Sequence, residues 1–221
     1  MTPAAPLAKT PLVNRILAAL PQTQCTRCGY PDCAAYADAI ATGIADINQC
    51  PPGGAKGIER LAAITGLPEN ALNPANGTES PRFVAVIDED WCIGCTLCLP
   101  ACPTDAILGS NKLMHTVIEK YCTGCELCIP VCPVDCISLE NVSGERTGWA
   151  AWPQSRADTA RERYEFHRLR RLPVLRDCPE IPVTPSNTAK KTTSAADNKR
   201  AVIEAALARA RSSRSARQPK R

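Results

Sequence analysis

The chain has 221 residues, of which 14 are Cys and 20 are Pro, with only two Phe, three Trp and four Tyr, so it has little aromatic bulk for a self-sufficient core. Its net charge of +4 is unevenly divided: residues 1–140 hold 8 Lys/Arg against 14 Asp/Glu, and residues 141–221 hold 18 against 8. No apolar run reaches the length of a signal-peptide core or a membrane span, which predicts a cytoplasmic, reducing setting in which clustered cysteines are metal ligands rather than disulfides.

Residues 1–9 are small and proline-broken, and are expected to be disordered. A helix is expected from Pro11, with Thr10 as its cap and Leu12, Val13, Ile16, Leu17 and Leu20 on one apolar face, ending at Pro21. The first cysteine set follows as Cys25-x2-Cys28-x4-Cys33-x16-Cys50. An alanine-rich stretch after Cys33 predicts a helix carrying that thiol near its N-terminus, where the helix dipole favours a thiolate. Cys50 returns in the turn QCPPGG, whose glycines lack the spacing of a phosphate loop. Spacing leaves an iron–sulfur cluster and a zinc site both open for these four thiols; the lack of a nearby His and the cysteine-rich neighbour favour iron–sulfur. Residues 10–65 thus read as a small helical domain, followed by a linker at 66–81.

An internal repeat dominates residues 82–140: CIGCTLCLPACPTDAI (Cys92–Ile107) and CTGCELCIPVCPVDCI (Cys122–Ile137) match at 10 of 16 positions, thirty residues apart. Each holds C-x2-C-x2-C-x3-C-P, in which three thiolates wrap one [4Fe–4S] cube and the fourth Cys completes the other. On that rule Cys92, Cys95, Cys98 and Cys132 bind one cluster, while Cys122, Cys125, Cys128 and Cys102 bind another. Gly94 and Gly124, lacking a Cβ, would let backbone N–H groups approach the cluster sulfurs. Zinc ribbons do not need this doubled pattern. β-prone runs at Phe83–Asp88 and Leu113–Glu119 precede the loops, and short ones at Ile107–Leu108 and Ile137–Leu139 follow, so two pseudo-twofold units of an α+β module are expected. The stretch resembles a bacterial 2[4Fe–4S] ferredoxin.

Several other residues invite a role. Cys136 stands where the first repeat has Ala106 and reads as a compact buried side chain near a cluster. Trp91 and Tyr121, just before the cysteine loops, are expected to pack over the cubes and shield them from water. His115 and His167 form no catalytic arrangement and read as structural, and Cys178, without a partner, reads as a spectator thiol. No catalytic site and no Rossmann fingerprint is visible. Residues 141–178 form a basic extension with an arginine-rich helix from Ala157 to Leu172. Residues 179–221 read as a flexible basic tail with a short helix over 197–211, either solvated or adhering to anionic lipid or an acidic partner.

CTRCGYPDCAAYADAI followed by NQCPPGG, joined to the two-cluster repeat and to GWAAWPQSRADTARERYEFHRLRRL, resembles the B subunit of the Rnf/Rsx electron-transport complex. The resemblance implies that Cys25, Cys28, Cys33 and Cys50 bind a third [4Fe–4S] cluster, so that three clusters carry single electrons. It also implies redox protein partners, among them other subunits of such a complex or a flavin/NADH reductase. Members of that family typically begin with a hydrophobic inner-membrane anchor, and this sequence starts within a few residues of its first cluster domain, so a variant without the anchor is expected, cytoplasmic or peripheral on the cytoplasmic face of the inner membrane. A freestanding soluble polyferredoxin is the second expectation, and a zinc-stabilised adaptor a remote third.

Overall fold

A computed structural model describes residues 11–171. The Thr10 cap, the N-terminal segment 1–9, Cys178, the tail 179–221 and its helix at 197–211 lie outside the described residues.

The first cysteine set is held by three helices: α1 (Pro11–Ala19), α2 (Cys33–Ala41) and α3 (Gly54–Thr65). Ile16, Leu17 and Leu20 pack against Tyr36 and Ile40 of α2 and Ile58 and Leu61 of α3. Leu12, expected on that apolar face, is instead partly exposed. Tyr36 is buried, and its hydroxyl donates to the Asp46 carbonyl (2.7 Å) and accepts from Gln49 N–H (3.1 Å), which fixes the chain that delivers Cys50. The buried Cys33, at the first position of α2, supplies both core volume and a donor.

The segment after α3 is tied down rather than free. The Asn48 amide donates to the Ala71 carbonyl (2.8 Å), the Asn76 amide to the Arg27 carbonyl (2.9 Å), and Glu79 accepts from Ala55 N–H (3.0 Å) and from the Thr147 hydroxyl (2.6 Å).

The repeat folds as two short antiparallel pairs. β1 (Phe83–Ile87) pairs with β4 (Ile137–Asn141), Phe83 opposite Asn141 and Ile87 opposite Ile137, while β2 (Ile107–Leu108) pairs with β3 (Thr116–Val117). A single helical turn, α4 (Cys98–Ala101), carries Cys98. The pseudo-twofold reaches the backbone: Gly94, Thr96 and Asp105 are left-handed, and so are Gly124, Glu126 and Asp135 thirty residues on. Gly94 and Gly124 have a further reason to lack a side chain. A Cβ would lie 2.6 Å from the Leu113 N and O atoms in one case and 2.4 Å from Phe83 O in the other, so each cysteine loop rests directly on the backbone of the opposite unit.

After β4 come α5 (Gly148–Ala151) and α6 (Gln154–Arg171), the latter starting three residues before the expected Ala157. Trp152, between them, is buried; its indole N–H donates to the Pro21 carbonyl (2.8 Å), while the Arg82 guanidinium lies 5.1 Å from its ring. This side chain thereby binds the helical domain to the ferredoxin-like one.

Candidate metal centres

The loop before α2 is built from alternating left-handed residues, Gln22, Gln24 and Thr26 (φ 58°, 54° and 60°). Non-glycine residues held there cost about 1–2 kcal/mol each, a strain that packed surroundings must enforce. The enforcing contacts are buried: Gln24 Oε1 accepts from Cys33 N–H (3.0 Å), Gln24 Nε2 donates to Gln22 Oε1 (3.2 Å), and Gln22 Nε2 donates to the Leu17 carbonyl. They fix the Cys25–Cys28 loop to the start of α2. Asp32 caps that helix by accepting from Ala35 N–H (2.7 Å). Burial pushes the Cys33 thiol up to about 12 and Cys50 well above its ordinary value, and in both cases the other thiols of the set add repulsion. Cys28 is raised by burial as well, with Cys25 adding to it. The four sulfurs therefore lie within electrostatic reach of one another, at one end of the helical domain.

In the ferredoxin-like domain the structure brings the thiols together across the repeat. Cys92, Cys95, Cys98 and Cys132 line one cavity, joined by Cys136 and His115. Cys102, Cys122, Cys125 and Cys128 line another. The crossing follows from backbone direction: Cys98 starts α4, whereas Cys102 leaves it in extended conformation (φ −81°, ψ 112°) before Pro103 and turns to the other cavity. Burial raises the Cys128 thiol to about 12 and Cys125 to about 11, reinforced by the other members of that set. Cys98 is raised by burial, with Cys95, Cys92 and Cys132 adding to it.

Each cavity is lined by four soft thiol donors, the donor set that holds a [4Fe–4S] cluster. Four thiols, with no His among the four, make a donor set that fits a thiolate-bound iron–sulfur group.

The two domains meet at their cysteine loops. The Thr123 hydroxyl, next to Cys122, donates to the Thr23 carbonyl (2.9 Å), and Arg27, between Cys25 and Cys28, pairs with Glu126, between Cys125 and Cys128. Sequence reasoning missed these contacts because the partners are about a hundred residues apart. Trp91 departs from expectation: it is 69% exposed and shields nothing, since Asp88, Glu89 and Asp90 beside it keep the turn in solvent. Tyr121 is half-buried and is covered by the Arg163 guanidinium, 3.6 Å from its ring centre. Cys136 is buried, with its sulfur 3.5 Å from that of Cys132. His167, at the other end of the described chain, lies 2.8 Å from the Asp105 carboxylate. No helix among the described residues is long and apolar enough to cross a membrane.

Residues 85–139 match the family described as "4Fe-4S dicluster domain", and residues 20–52 match that described as "Putative Fe-S cluster". Over 108 residues the chain is 60% identical to the B subunit of the ion-translocating oxidoreductase complex of an Azoarcus species, covering 49% of this chain and 59% of that protein. It is 58% identical to the corresponding B subunit of Thiobacillus denitrificans and 56% identical to that of Shewanella pealeana, covering 49% of this chain and 57% and 56% of those proteins. The aligned part thus spans little more than half the length of these curated relatives.

Proposed function

We propose that this chain, a homologue of the B subunits of ion-translocating oxidoreductase complexes, is a one-electron carrier holding three [4Fe–4S] clusters. Cys25, Cys28, Cys33 and Cys50 would hold the first, Cys102, Cys122, Cys125 and Cys128 the second, and Cys92, Cys95, Cys98 and Cys132 the third. When bound, such clusters supply reversible one-electron chemistry without breaking a substrate bond. The observation that carries the reading is the crossed pair of four-thiol cavities in a domain of the matching family.

The protein's own part is placement and insulation. Thr23, Thr123, Arg27 and Glu126 press the Cys25–Cys28 loop against the Cys122–Cys128 loop, which supports an electron route from the first site through the second to the third. Beside the third site, Ile93, Leu97, Leu113 and Met114 are exposed next to the acidic run Asp88–Asp90. Small apolar contacts ringed by charge suit short-lived redox encounters, and the acidic rim would favour a basic partner and make association salt-sensitive. The names of the relatives make other subunits of such a complex the first candidates, and a flavin or NADH reductase fits the same chemistry. Contact with anionic lipid would fall to the basic residues beyond 171, because the arginines of α6 are largely engaged within the protein.

Iron and acid-labile sulfide analysis of anaerobically prepared protein tests the reading. About twelve of each per chain are expected from three four-iron clusters. Zinc with negligible sulfide would overturn it.

A further inference from the structure

The repeat makes each half of the ferredoxin-like domain a control for the other. Thirty residues apart, equivalent backbone groups serve equivalent sulfurs: Ala85 N–H points to Cys122 Sγ and His115 N–H to Cys92 Sγ, both at 3.4 Å. Ala106 N–H donates to Cys102 Sγ (3.1 Å), and the matching Cys136 N–H serves Cys132. The backbone frame is therefore shared. The side chains at these two positions are alanine on one side, Ala85 and Ala106, and His115 and Cys136 on the other. Both exceptions fall on the same cavity.

His115 is 1% exposed, and its Nδ1 lies 3.3 Å from Cys92 Sγ. Its Nε2 is buried with no hydrogen-bond partner among the described residues. A neutral imidazole carries one proton, and a buried N–H without an acceptor is costlier than a buried lone pair. The proton therefore belongs on Nδ1, facing the sulfur. The ring cannot swing away, since it lies against Gly109, where a Cβ would stand 1.8 Å from His115 Cδ2. Cys136 Sγ is 3.5 Å from Cys132 Sγ. A ligating Cys132 has no proton to give, so the thiol of Cys136 is the donor. On the twin site the Thr104 hydroxyl lies 3.8 Å from Cys102 Sγ and the Thr123 hydroxyl reaches Cys125, but each has a single proton and a shorter contact to a carbonyl, Tyr121 (2.8 Å) and Thr23 (2.9 Å).

We propose that His115 and Cys136 are positioning residues that raise the reduction potential of the cluster bound by Cys92, Cys95, Cys98 and Cys132, through two side-chain hydrogen bonds its repeat-related twin lacks. The proposal rests on the cluster reading given above. Hydrogen bonds to ligand sulfur stabilise the added negative charge of the reduced form. Each donor is expected to favour reduction about tenfold, a shift of ~59 mV for one electron.

The test is an EPR-monitored redox titration of the full chain, reconstituted anaerobically, as wild type, His115→Ala, His115→Asn and Cys136→Ala. Iron and sulfide content should be unchanged, one potential should fall by about the tenfold equivalent in both alanine variants, and His115→Asn, which keeps a donor, should recover part of it. That potential should persist in a Cys125→Ala chain, whose twin site is disabled. Unchanged potentials, an equal fall in every cluster, or loss of the shifted signal in Cys125→Ala would each overturn the assignment. Should His115→Ala lose iron, Cys136→Ala decides, since alanine is what the repeat already accepts at Ala106. Wild-type protein without acid-labile sulfide would instead overturn the cluster reading, and this inference with it.

Discussion

Replacing Cys102 by alanine tests the crossed assignment directly. Cys102 is only four residues from Cys98, yet it lines the cavity of Cys122, Cys125 and Cys128 and not that of Cys92, Cys95 and Cys98. Alanine removes one sulfur, which accepts a single backbone hydrogen bond from Ala106 (3.1 Å), so the fold should tolerate the change. A four-thiolate cluster deprived of one ligand loses between one iron and the whole group, so iron should fall from about twelve per chain to somewhere between about eleven and eight. The informative readout is which signal goes. In EPR spectra of the reduced protein, Cys102→Ala should abolish or convert the same signal as Cys125→Ala and spare the one abolished by Cys95→Ala; Cys132→Ala should do the reverse. If Cys102→Ala and Cys95→Ala remove the same signal, ligation follows sequence order and the crossed reading is wrong.

Three further outcomes follow from the geometry. Gly124→Ala places a left-handed Cβ 2.4 Å from Phe83 O, so the strain of about 1–2 kcal/mol for the backbone alone is compounded by separating the loop from β1, and sulfide retention after reconstitution should drop sharply. Trp152→Phe keeps most of the buried ring and removes the donor to the Pro21 carbonyl; it should cost about 1–3 kcal/mol against about 3–5 kcal/mol for Trp152→Ala, read as faster cluster bleaching in denaturant. In reduced, cluster-free protein, the thiols of Cys33, Cys128 and Cys125 titrate at about 12, 12 and 11 against roughly 8.5 when unfolded, so they bind their protons more tightly in the fold. Their contribution is intact below about pH 8.5 and is lost as pH rises through 9 to 12, so the apo-protein's denaturant midpoint should decline over that window and stay level below it.

What the sequence revealed and what it hid divide along contact range. The cysteine spacing, the thirty-residue repeat and the β-prone runs are local, and the four strands form where those runs lie, although β3 shrinks to Thr116–Val117; the pairing of β1 with β4 across the whole repeat is not local. That Cys92, Cys95 and Cys98 meet Cys132 was also legible, because the motif itself encodes the crossing. Hidden were the contacts with no periodicity to announce them, such as Thr123 to Thr23 and Arg27 to Glu126, which set the Cys25–Cys28 loop against the Cys122–Cys128 loop. His115 was hidden for another reason. Beside one strand-like run it looks like an ordinary core residue, and only alignment of the flanks against Ala85 marks it as a break in the repeat. Trp91 was misread because an aromatic beside a cysteine loop suggests packing, whereas three consecutive exposed acidic residues hold that turn in water.

The arginine-rich helix shows why charge alone is a poor guide to partners. Of its 18 residues only Ala157, Ala160 and His167 are buried, so hydrophobic burial does little to dock it. It docks through polar groups aimed at two aspartates. Tyr164 donates to Asp32 (3.0 Å) with Arg168 3.9 Å away, and His167 (2.8 Å) and Arg170 reach Asp105. Burial works against the Asp105 carboxylate, but the hydrogen bonds from His167 and Arg170 outweigh it and hold its pKa below the ordinary value. Arg163 donates to the Thr104 and Asp105 carbonyls (2.6 and 3.0 Å) while covering Tyr121. Asp32 caps the helix that begins with Cys33, and Asp105 follows Cys102 in a left-handed turn, so each aspartate already serves a cysteine-bearing loop. α6 therefore braces one cysteine-bearing turn in each domain from a single element. Ion pairs at or near the surface contribute little individually, but four side chains on one helix together fix the separation of the two cysteine-bearing turns, on which the proposed electron route would depend.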